Sequence, residues 1–185
     1  MITHANFAGT PFADFIHCPR CGAGRLSRHD ARAIRCLGCG FILYFNCATA
    51  AAAFILYRDR LVLGIRGKEP QLGMLDLPGG FVEFDETVEN ALAREVREEL
   101  NLKISPPVYL TSAPNDYRYA GVLYKTMDLF FVCEVDDISQ IKPMDDVSAY
   151  RLLKPHDIDP QELAFASVRV ALQRFLERLG PASVG

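Results

Sequence analysis

The stretch GGFVEFDETVENALAREVREELNL runs from Gly79 to Leu102 and holds seven acidic residues but only two arginines, Arg94 and Arg97. The whole chain of 185 residues has a net charge of −3, so this short segment carries a disproportionate share of its acids. Like charges one helical turn apart destabilise a helix. So dense an acidic run therefore calls for a physical reason.

The apolar residues of this stretch recur at helical spacing, which predicts a helix over residues 86–100. The apolar face of that helix is formed by Val88, Ala91, Leu92, Val96 and Leu100. Glu95 and Glu99 fall inside the same arc, and Glu98 lies at its edge. The opposite face is formed by Asn90, Arg94, Arg97 and Asn101. The three glutamates are therefore predicted to continue the inward-facing stripe.

Inward-facing carboxylates repel one another and lose hydration, and the C-terminal end of a helix disfavours negative charge. An ion-pair network is one explanation, since Arg94 lies one turn before Glu98. Both arginines of the segment are nevertheless expected to point away from the stripe. A bound divalent cation, which prefers hard oxygen ligands, explains the placement better. The segment thus predicts a metal site.

The same stretch resembles the Nudix box of the Nudix hydrolase superfamily. In that motif a glycine and a glutamate precede Arg-Glu, an apolar residue, Glu-Glu, a glycine and a final apolar residue. The matching positions are Gly80, Glu86, Arg94, Glu95, Val96, Glu98, Glu99 and Leu102. One position differs, because Asn101 replaces the late glycine, and Asn is the next most tolerant residue of a left-handed backbone. The preceding Leu77-Pro78-Gly79 also matches, and the similarity extends over roughly residues 47–178.

The resemblance implies an α+β Nudix fold, a mixed β-sheet sandwiched between α-helices. It also implies metal-dependent hydrolysis of a diphosphate bond in a nucleoside diphosphate derivative such as NADH or ADP-ribose, by water attack on phosphorus. By similarity, Mg²⁺ or Mn²⁺ is held by Glu95, Glu98, Glu99 and the carbonyl of Gly79. A salt bridge between Glu86 and Arg94 is expected to steady the box.

Two residues are candidates for the general base that takes the proton of the attacking water. One is Glu95, and the other is Asp146, because related enzymes supply an extra acid from a loop just before a late strand. Asp146 stands just before the predicted strand VSAYRLL. Its alternative role is that of an ordinary turn residue.

The first third of the chain contains two cysteine pairs, Cys18-Pro-Arg-Cys21 and Cys36-Leu-Gly-Cys39. A glycine follows each pair and allows the sharp turn that directs amide groups at sulfur. Four thiolates from two tight turns match tetrahedral Zn²⁺, which predicts a zinc ribbon. The alternative of two disulfides needs an oxidising compartment, and no secretory signal is apparent. The remaining Cys47 and Cys133 lie in apolar runs and are predicted to be small core residues.

A four-cysteine ribbon ahead of a Nudix domain resembles the bacterial NADH pyrophosphatase group, which implies a homodimer. The SQPWPFP-type motif of that group is missing and the chain has no tryptophan, so its substrate does not carry over. The coenzyme A pyrophosphatase signature is absent as well. Tyr117 and Tyr119 are candidates for stacking on a nucleotide base. The alternative for both is an ordinary exposed hairpin.

The predicted organisation is a zinc-ribbon segment over residues 1–46 and a Nudix hydrolase domain over residues 47–185. Strands are expected at 49–57, 60–66, 124–135 and 147–153, and an amphipathic helix at 159–179, with Asp159 as its N-cap. No apolar run has the length of a membrane span, and the absence of a signal predicts a cytoplasmic location.

Three functions remain open on the sequence. The first is the Nudix hydrolase acting on a small nucleotide substrate. The second is a nucleotide-binding regulator without hydrolysis, against which the intact acid set argues. The third is an RNA-processing enzyme whose ribbon binds RNA through arginines and aromatic residues. The acidic total charge and the small size of the basic patch argue against nucleic acid as a partner.

Overall fold

The computed structural model describes residues 12, 13 and 15–180. Its contacts divide the chain into two compact units. The first combines the described part of Met1–Cys47 with Asp116–Lys125, and the second combines Ala48–Asn115 with the described residues from Thr126 onward. The inclusion of Asp116–Lys125 in the first unit was not predicted from the sequence.

The first unit is built on an antiparallel three-stranded sheet, with strands in the order β1 (Leu26–Arg28), β2 (Ala33–Cys36) and β3 (Ile42–Tyr44). Its apolar core is formed by Phe12, Cys18, Leu26, Ile34 and Cys36. The ring of Phe45 packs 6.4 Å from that of Tyr124, so the segment Asp116–Lys125 adds to this small core. A core of this size needs a further cross-link, such as a bound metal, because small domains bury too little apolar surface to be stable alone.

The second unit contains a seven-stranded sheet. Its strands are β4 (Ala48–Tyr57), β5 (Arg60–Arg66), β6 (Leu75–Asp76), β7 (Gly79–Phe81), β8 (Val108–Tyr119), β9 (Val122–Glu134) and β10 (Val147–Leu153). The main order is β10-β5-β4-β9-β8, with β6 beside β5 and β7 beside β4. Strands β4 and β9 run parallel whereas β4 and β5 run antiparallel, so the sheet is mixed as predicted.

Helix α1 (Val88–Leu100) begins two residues later than predicted. The hydroxyl of Thr87 accepts a hydrogen bond from the amide of Asn90 at 3.2 Å, which caps the first turn. Asn101 ends the helix in the left-handed conformation, with φ of 54° and its amide bonded to the carbonyl of Arg97. The residue in place of the late glycine thus turns the chain out of the helix.

The prediction that the last helix begins at Asp159 is wrong, because α2 covers Ala166–Leu179. Asp159 caps a short 3-10 turn instead, accepting from the amide of Gln161 at 2.8 Å. The chain then joins the sheet, where the amide of Ala164 donates to the carbonyl of Leu75 at 2.8 Å, and only afterwards turns helical. In the described part of the chain no helix is both long and apolar enough to cross a membrane.

The two helices cover opposite faces of the large sheet. Leu92, Val96 and Leu100 of α1 pack in a cluster with Ile55. Phe175 of α2 packs in the other cluster, where its ring stacks on that of Phe54 at 4.5 Å. Neighbouring residues of β4 therefore enter different cores, as the alternation of a strand requires. The predicted mixed sheet between helices is confirmed.

The two cysteines outside the ribbon motif have different environments. Cys133 is buried in the cluster beneath α1, as expected for a small core residue. The same prediction for Cys47 is wrong, because its side chain is exposed just before β4 begins. A single apolar run in the sequence does not distinguish the residue that enters the core from the one that precedes the strand.

Candidate functional site

The site is built around Gly79 and Gly80 at the start of β7, which pair with Ala52 and Ala51 of β4. Gly79 has φ of 145°, and a Cβ there would lie 2.1 Å from the carbonyl oxygen of Ala51. A Cβ on Gly80 would lie 2.5 Å from the carboxyl carbon of Glu95. Both positions therefore require glycine, the first because of the strand and the second because of the carboxylate.

Glu99 is the most deeply buried acid of the box, at 8% exposure. The backbone amide of Gly79 donates a hydrogen bond to its Oε2 at 3.0 Å. Burial raises the pKa of Glu99 to about 8, the Gly79 amide opposes the shift, and the charges of Glu95, Asp76 and Asp146 add to it. A buried carboxylate surrounded by other acids is a strong acceptor of positive charge.

Glu95 lies against Gly80 with its side chain 17% exposed. Burial raises the pKa of this carboxyl, while the guanidinium of Arg94, whose Nη1 lies 2.9 Å from Oε1, opposes the shift. Glu98 is different, because its side chain is 50% exposed and its Oε2 accepts from Arg94 at 3.1 Å. Glu95 and Glu99 are thus enclosed, and Glu98 forms the rim.

Arg94 joins these acids together. Its guanidinium lies 2.7 Å from Glu86, 2.9 Å from Glu95 and 3.1 Å from Glu98, and also donates to the carbonyl of Phe81. The prediction that Arg94 points away from the glutamates is wrong. A long side chain that starts on the solvent side of the helix can bend back, and its planar guanidinium then donates to several acceptors. The predicted pairing with Glu86 is the shortest of these contacts.

The donor atoms of the three glutamates do not converge as tightly as those of the ribbon. Within residues 12, 13 and 15–180, only the four cysteines bring three or more ligand atoms within 4.8 Å of one another. The carboxylates supply the hard oxygens that Mg²⁺ and Mn²⁺ prefer. Burial, with a smaller contribution from neighbouring acids, raises the pKa values of Glu95 and Glu99, and a divalent cation would stabilise their charged forms.

Asp146 lies on the loop before β10, next to Lys68. The Lys68 ammonium contacts the carboxylates of both Asp145, at 3.1 Å, and Asp146. The amide of Gly67 donates to the carbonyl of Asp146 at 2.6 Å, which fixes the loop. The charge of Asp146 contributes to the raised pKa of Glu99. The structure therefore places this candidate base near the box acids but with its carboxylate ion-paired.

Tyr117 and Tyr119 lie on the hairpin tip that belongs to the first unit. Their rings stack on each other with centroids 6.3 Å apart, and Tyr119 is 54% exposed. The two residues between β8 and β9, Ala120 and Gly121, both have positive φ, which is typical of a tight hairpin turn. The exposed-hairpin alternative therefore describes the backbone, and base stacking remains a prediction.

The sequence analysis did not identify an acid that lies beside the box. Asp76 on β6 accepts from Arg66 Nη1 and from the amide of Leu77, both at 2.9 Å. Burial raises its pKa to about 6 against the effect of Arg66, and its charge in turn raises the pKa of Glu99. The available signal was an acid between two core leucines, Leu75 and Leu77, just before the glycine turn.

The four ribbon cysteines form the second constellation. The Sγ atoms of Cys18 and Cys39 are 3.9 Å apart, and those of Cys21 and Cys36 are 3.7 Å apart. These distances match the roughly 3.8 Å edges of a tetrahedron with Zn–S bonds of about 2.3 Å. Backbone amides of Cys39 and Gly38 lower the pKa of the Cys36 thiol, which favours the metal-binding thiolate.

Known proteins share the fold of this domain. Residues 48–175 match the family described as the NUDIX domain. The chain belongs to that family. The NUDIX chain is 32% identical over 112 residues, 60% of its length, to the NAD-capped RNA hydrolase NudC of Stutzerimonas stutzeri, and the match covers 40% of that protein. It is 39% identical over 75 residues, 40% of its length, to the ADP-ribose pyrophosphatase of Methanocaldococcus jannaschii, covering 44% of that protein.

The NUDIX chain therefore spans less than half the length of these curated relatives. A crystal structure of a NUDIX hydrolase from Nitrosomonas europaea superposes with a TM-score of 0.69 at 24% identity, covering 88% of this chain and 90% of that chain. At that identity the likeness concerns the fold, and it covers nearly the full length of both chains.

Proposed function

We propose that this NUDIX protein hydrolyses a diphosphate bond in a nucleoside diphosphate derivative, with water attacking phosphorus and a divalent cation bound at the box. The observation that carries the proposal is Glu99, a buried carboxylate held by the amide of Gly79 and crowded by Glu95. A structural role alone gives no reason to keep such a charge inside the protein.

The cation, when bound, neutralises phosphate oxygens and lowers the pKa of a water molecule. Glu95 and Glu99 hold it in the enclosed part of the site, with Glu98 and the carbonyl of Gly79 completing the protein ligands. Arg94 keeps the carboxylates of Glu95 and Glu98 in place through its contacts. Through its contact with Glu86, the same arginine also connects the site to the loop that precedes α1.

The proton of the attacking water goes to a carboxylate. Glu95 is one candidate, because its enclosed carboxylate lies at the proposed cation site, where the attacking water would be bound. Asp146 is the second candidate, and it must first leave the ammonium of Lys68. The two candidates differ in what must move before reaction.

The proposed substrate class is supported by chemistry that two relatives have in common. Their names specify an NAD cap on RNA and ADP-ribose. Both contain a diphosphate that joins adenosine to a second ribose, so we favour a dinucleotide or nucleotide-sugar of that type, such as NADH or ADP-ribose. Tyr117 and Tyr119 are proposed to stack on a base of the substrate.

The test is a panel of NADH, ADP-ribose, other dinucleotides and nucleoside triphosphates, assayed with Mg²⁺ and with Mn²⁺ for release of mononucleotide. We expect cation-dependent cleavage of at least one diphosphate-linked compound. Arg178→Gln, an exposed change on α2 that leaves the box untouched, should cleave the same compounds as the wild type. Tight nucleotide binding without turnover across the panel would instead support the regulator.

The ribbon cysteines are proposed to hold one structural Zn²⁺, as the tetrahedral sulfur arrangement indicates. Metal analysis of purified protein should give about one zinc per chain. We also propose a homodimer, by resemblance to zinc-ribbon relatives. Light scattering that gives the monomer mass at micromolar concentration excludes the dimer.

A further inference from the structure

The small sheet of the first unit has two unlike faces. Strand registers place Arg35 between Ser27 on β1 and Ile42 on β3, and place Ala33 opposite Tyr44. Side chains directly opposite one another share a face. The other face carries the apolar core, including Leu26, Ile34, Cys36 and Leu43. We call the face that holds Arg35 and Tyr44 the outer face.

Aromatic residues stand exposed on this outer face. Tyr44 is 49% exposed, and its ring meets the ring of His29 edge-on at 6.4 Å and 90°. The amide of His29 donates to the carbonyl of Ala33 at 2.9 Å, which places His29 beside Ala33 and across from Tyr44. Beside this pair lies the exposed guanidinium-bearing side chain of Arg35. The face thus combines flat rings with a cation.

Positive charge in the ribbon is not neutralised by its own acids. Residues 17–46 contain five arginines and a single acid, Asp30. Among the described residues none of these arginines forms an ion pair, whereas Arg66, Arg94 and Arg151 of the second unit all do. The carboxylate of Asp30 accepts a backbone amide at 2.6 Å instead. The ribbon therefore presents a basic surface on a chain of net charge −3.

We propose that the outer face binds a single-stranded nucleic acid, with bases stacking on Tyr44 and His29 and phosphates contacting Arg35. Rings beside unpaired cations provide stacking and phosphate neutralisation together. An anionic membrane is a poorer match, because the large aliphatic side chain next to Arg35 on the face, that of Ile42, is half-buried. A duplex is also a poorer match, since its bases do not expose their planes. The inference goes beyond the proposed hydrolysis and does not depend on it.

The test uses a fluorescently labelled single-stranded RNA of about ten nucleotides, within the range that small binding domains cover. The RNA carries a 5′-hydroxyl and therefore no diphosphate, and the buffer contains no added divalent cation. Fluorescence anisotropy should show binding that weakens with salt. Tyr44→Ala should weaken binding about fivefold to hundredfold, as loss of one stacking platform does. Arg35→Gln should weaken it and reduce the salt slope by about 0.7, the value for one phosphate contact on a single strand.

Arg178→Gln is the matched control, because it removes the same charge from an exposed position on α2. Zinc content and circular dichroism of each variant confirm that the ribbon is folded, and cleavage of a small dinucleotide by Arg35→Gln should equal that of the wild type. Several results overturn the proposal: no RNA binding at low salt, equal binding of a duplex, equal loss in Arg178→Gln, or binding to phosphatidylserine vesicles but not to RNA.

Discussion

The ribbon cysteines and the box glutamates are both candidate metal ligands, but the protein holds them differently. Four thiols lie within 4.8 Å of one another, each pair on a tight turn closed by backbone amides. The carboxylates instead contact different groups. Glu99 accepts from the amide of Gly79, whereas Glu95 lies against Gly80 and contacts the guanidinium of Arg94. Two tight turns suffice to assemble the sulfur site, whereas the oxygen site needs the helix, the counter-charge of Arg94 and the pairing of Gly79 and Gly80 with the more distant strand β4.

The largest effect is expected for Cys36→Ser. The change removes one of four ligands, so the ribbon should lose its zinc and its fold, because such a small core depends on the metal. Metal analysis together with hydrogen exchange should show zinc lost and the amides of β1–β3 unprotected, while the NUDIX domain stays protected. Cys47→Ser, at an exposed cysteine, is the control. Retention of zinc by Cys36→Ser would contradict the tetrathiolate.

The next effect concerns Gly80→Ala, which places a methyl group where the Glu95 carboxylate lies. The side chain must move, so the fold should survive with a loss of about 1–3 kcal/mol, while turnover falls about a hundredfold, as misplacement of a catalytic group by about 1 Å does. Melting and turnover are measured together. Gly24→Ala is the control, since its nearest contact is 3.6 Å. Full turnover in Gly80→Ala would show that the position of Glu95 does not matter.

A smaller effect is expected for Arg94→Gln. Three acids lose their shared partner, and the variant should be less stable by about 1–2 kcal/mol after allowance for solvent screening of a guanidinium that is 25% exposed. Mg²⁺ should raise its melting temperature more than that of the wild type, because the cation replaces the missing charge. Arg97→Gln on the exposed side of α1 should change nothing. Equal stability of Arg94→Gln and wild type speaks against the ion-pair network.

The smallest effect is expected for Lys68→Gln. The ammonium is exposed, so the melting temperature should stay the same. Removing it leaves more negative charge beside the box, so the Mg²⁺ concentration for half-maximal turnover should fall about twofold. Lys154→Gln, which breaks an exposed contact with Asp59, is the control. An unchanged Mg²⁺ requirement would place Asp146 outside the electrostatics of the site.

The sequence predicted those features that depend on local spacing. The box helix, the mixed sheet and the cysteine cluster follow from periodicity and from paired turns. The left-handed end of the helix at Asn101 likewise follows from a single residue type.

Features that depend on tertiary contacts could not be predicted in this way. Arg94 curls toward acids that a helical projection places on another face. The start of α2 is delayed because Ala164 bonds to a strand far away in the sequence. The buried carboxylate of Asp76 is held by the guanidinium of Arg66, ten residues earlier. In each case a partner that is distant or flexible determines the local structure, and residue spacing does not reveal that partner.

We propose that Glu99 is kept inside the protein to hold a catalytic cation, and Glu99→Gln separates this role from a structural one. The folded pKa of Glu99, about 8, lies above its ordinary value of 4.5. Without divalent cations the wild type should therefore lose stability as pH rises from 4.5 to 8, on the order of a few kcal/mol. The glutamine keeps the size of the side chain and an oxygen for the Gly79 amide but has no charge, so this loss should disappear.

The measurement is the melting temperature at pH 8 with and without Mg²⁺, together with turnover on the best substrate of the panel. We expect Glu99→Gln to be at least as stable as the wild type without Mg²⁺, to gain no stability from Mg²⁺ and to have almost no turnover. A Glu99→Gln protein that is less stable than the wild type yet fully active per folded molecule would contradict it.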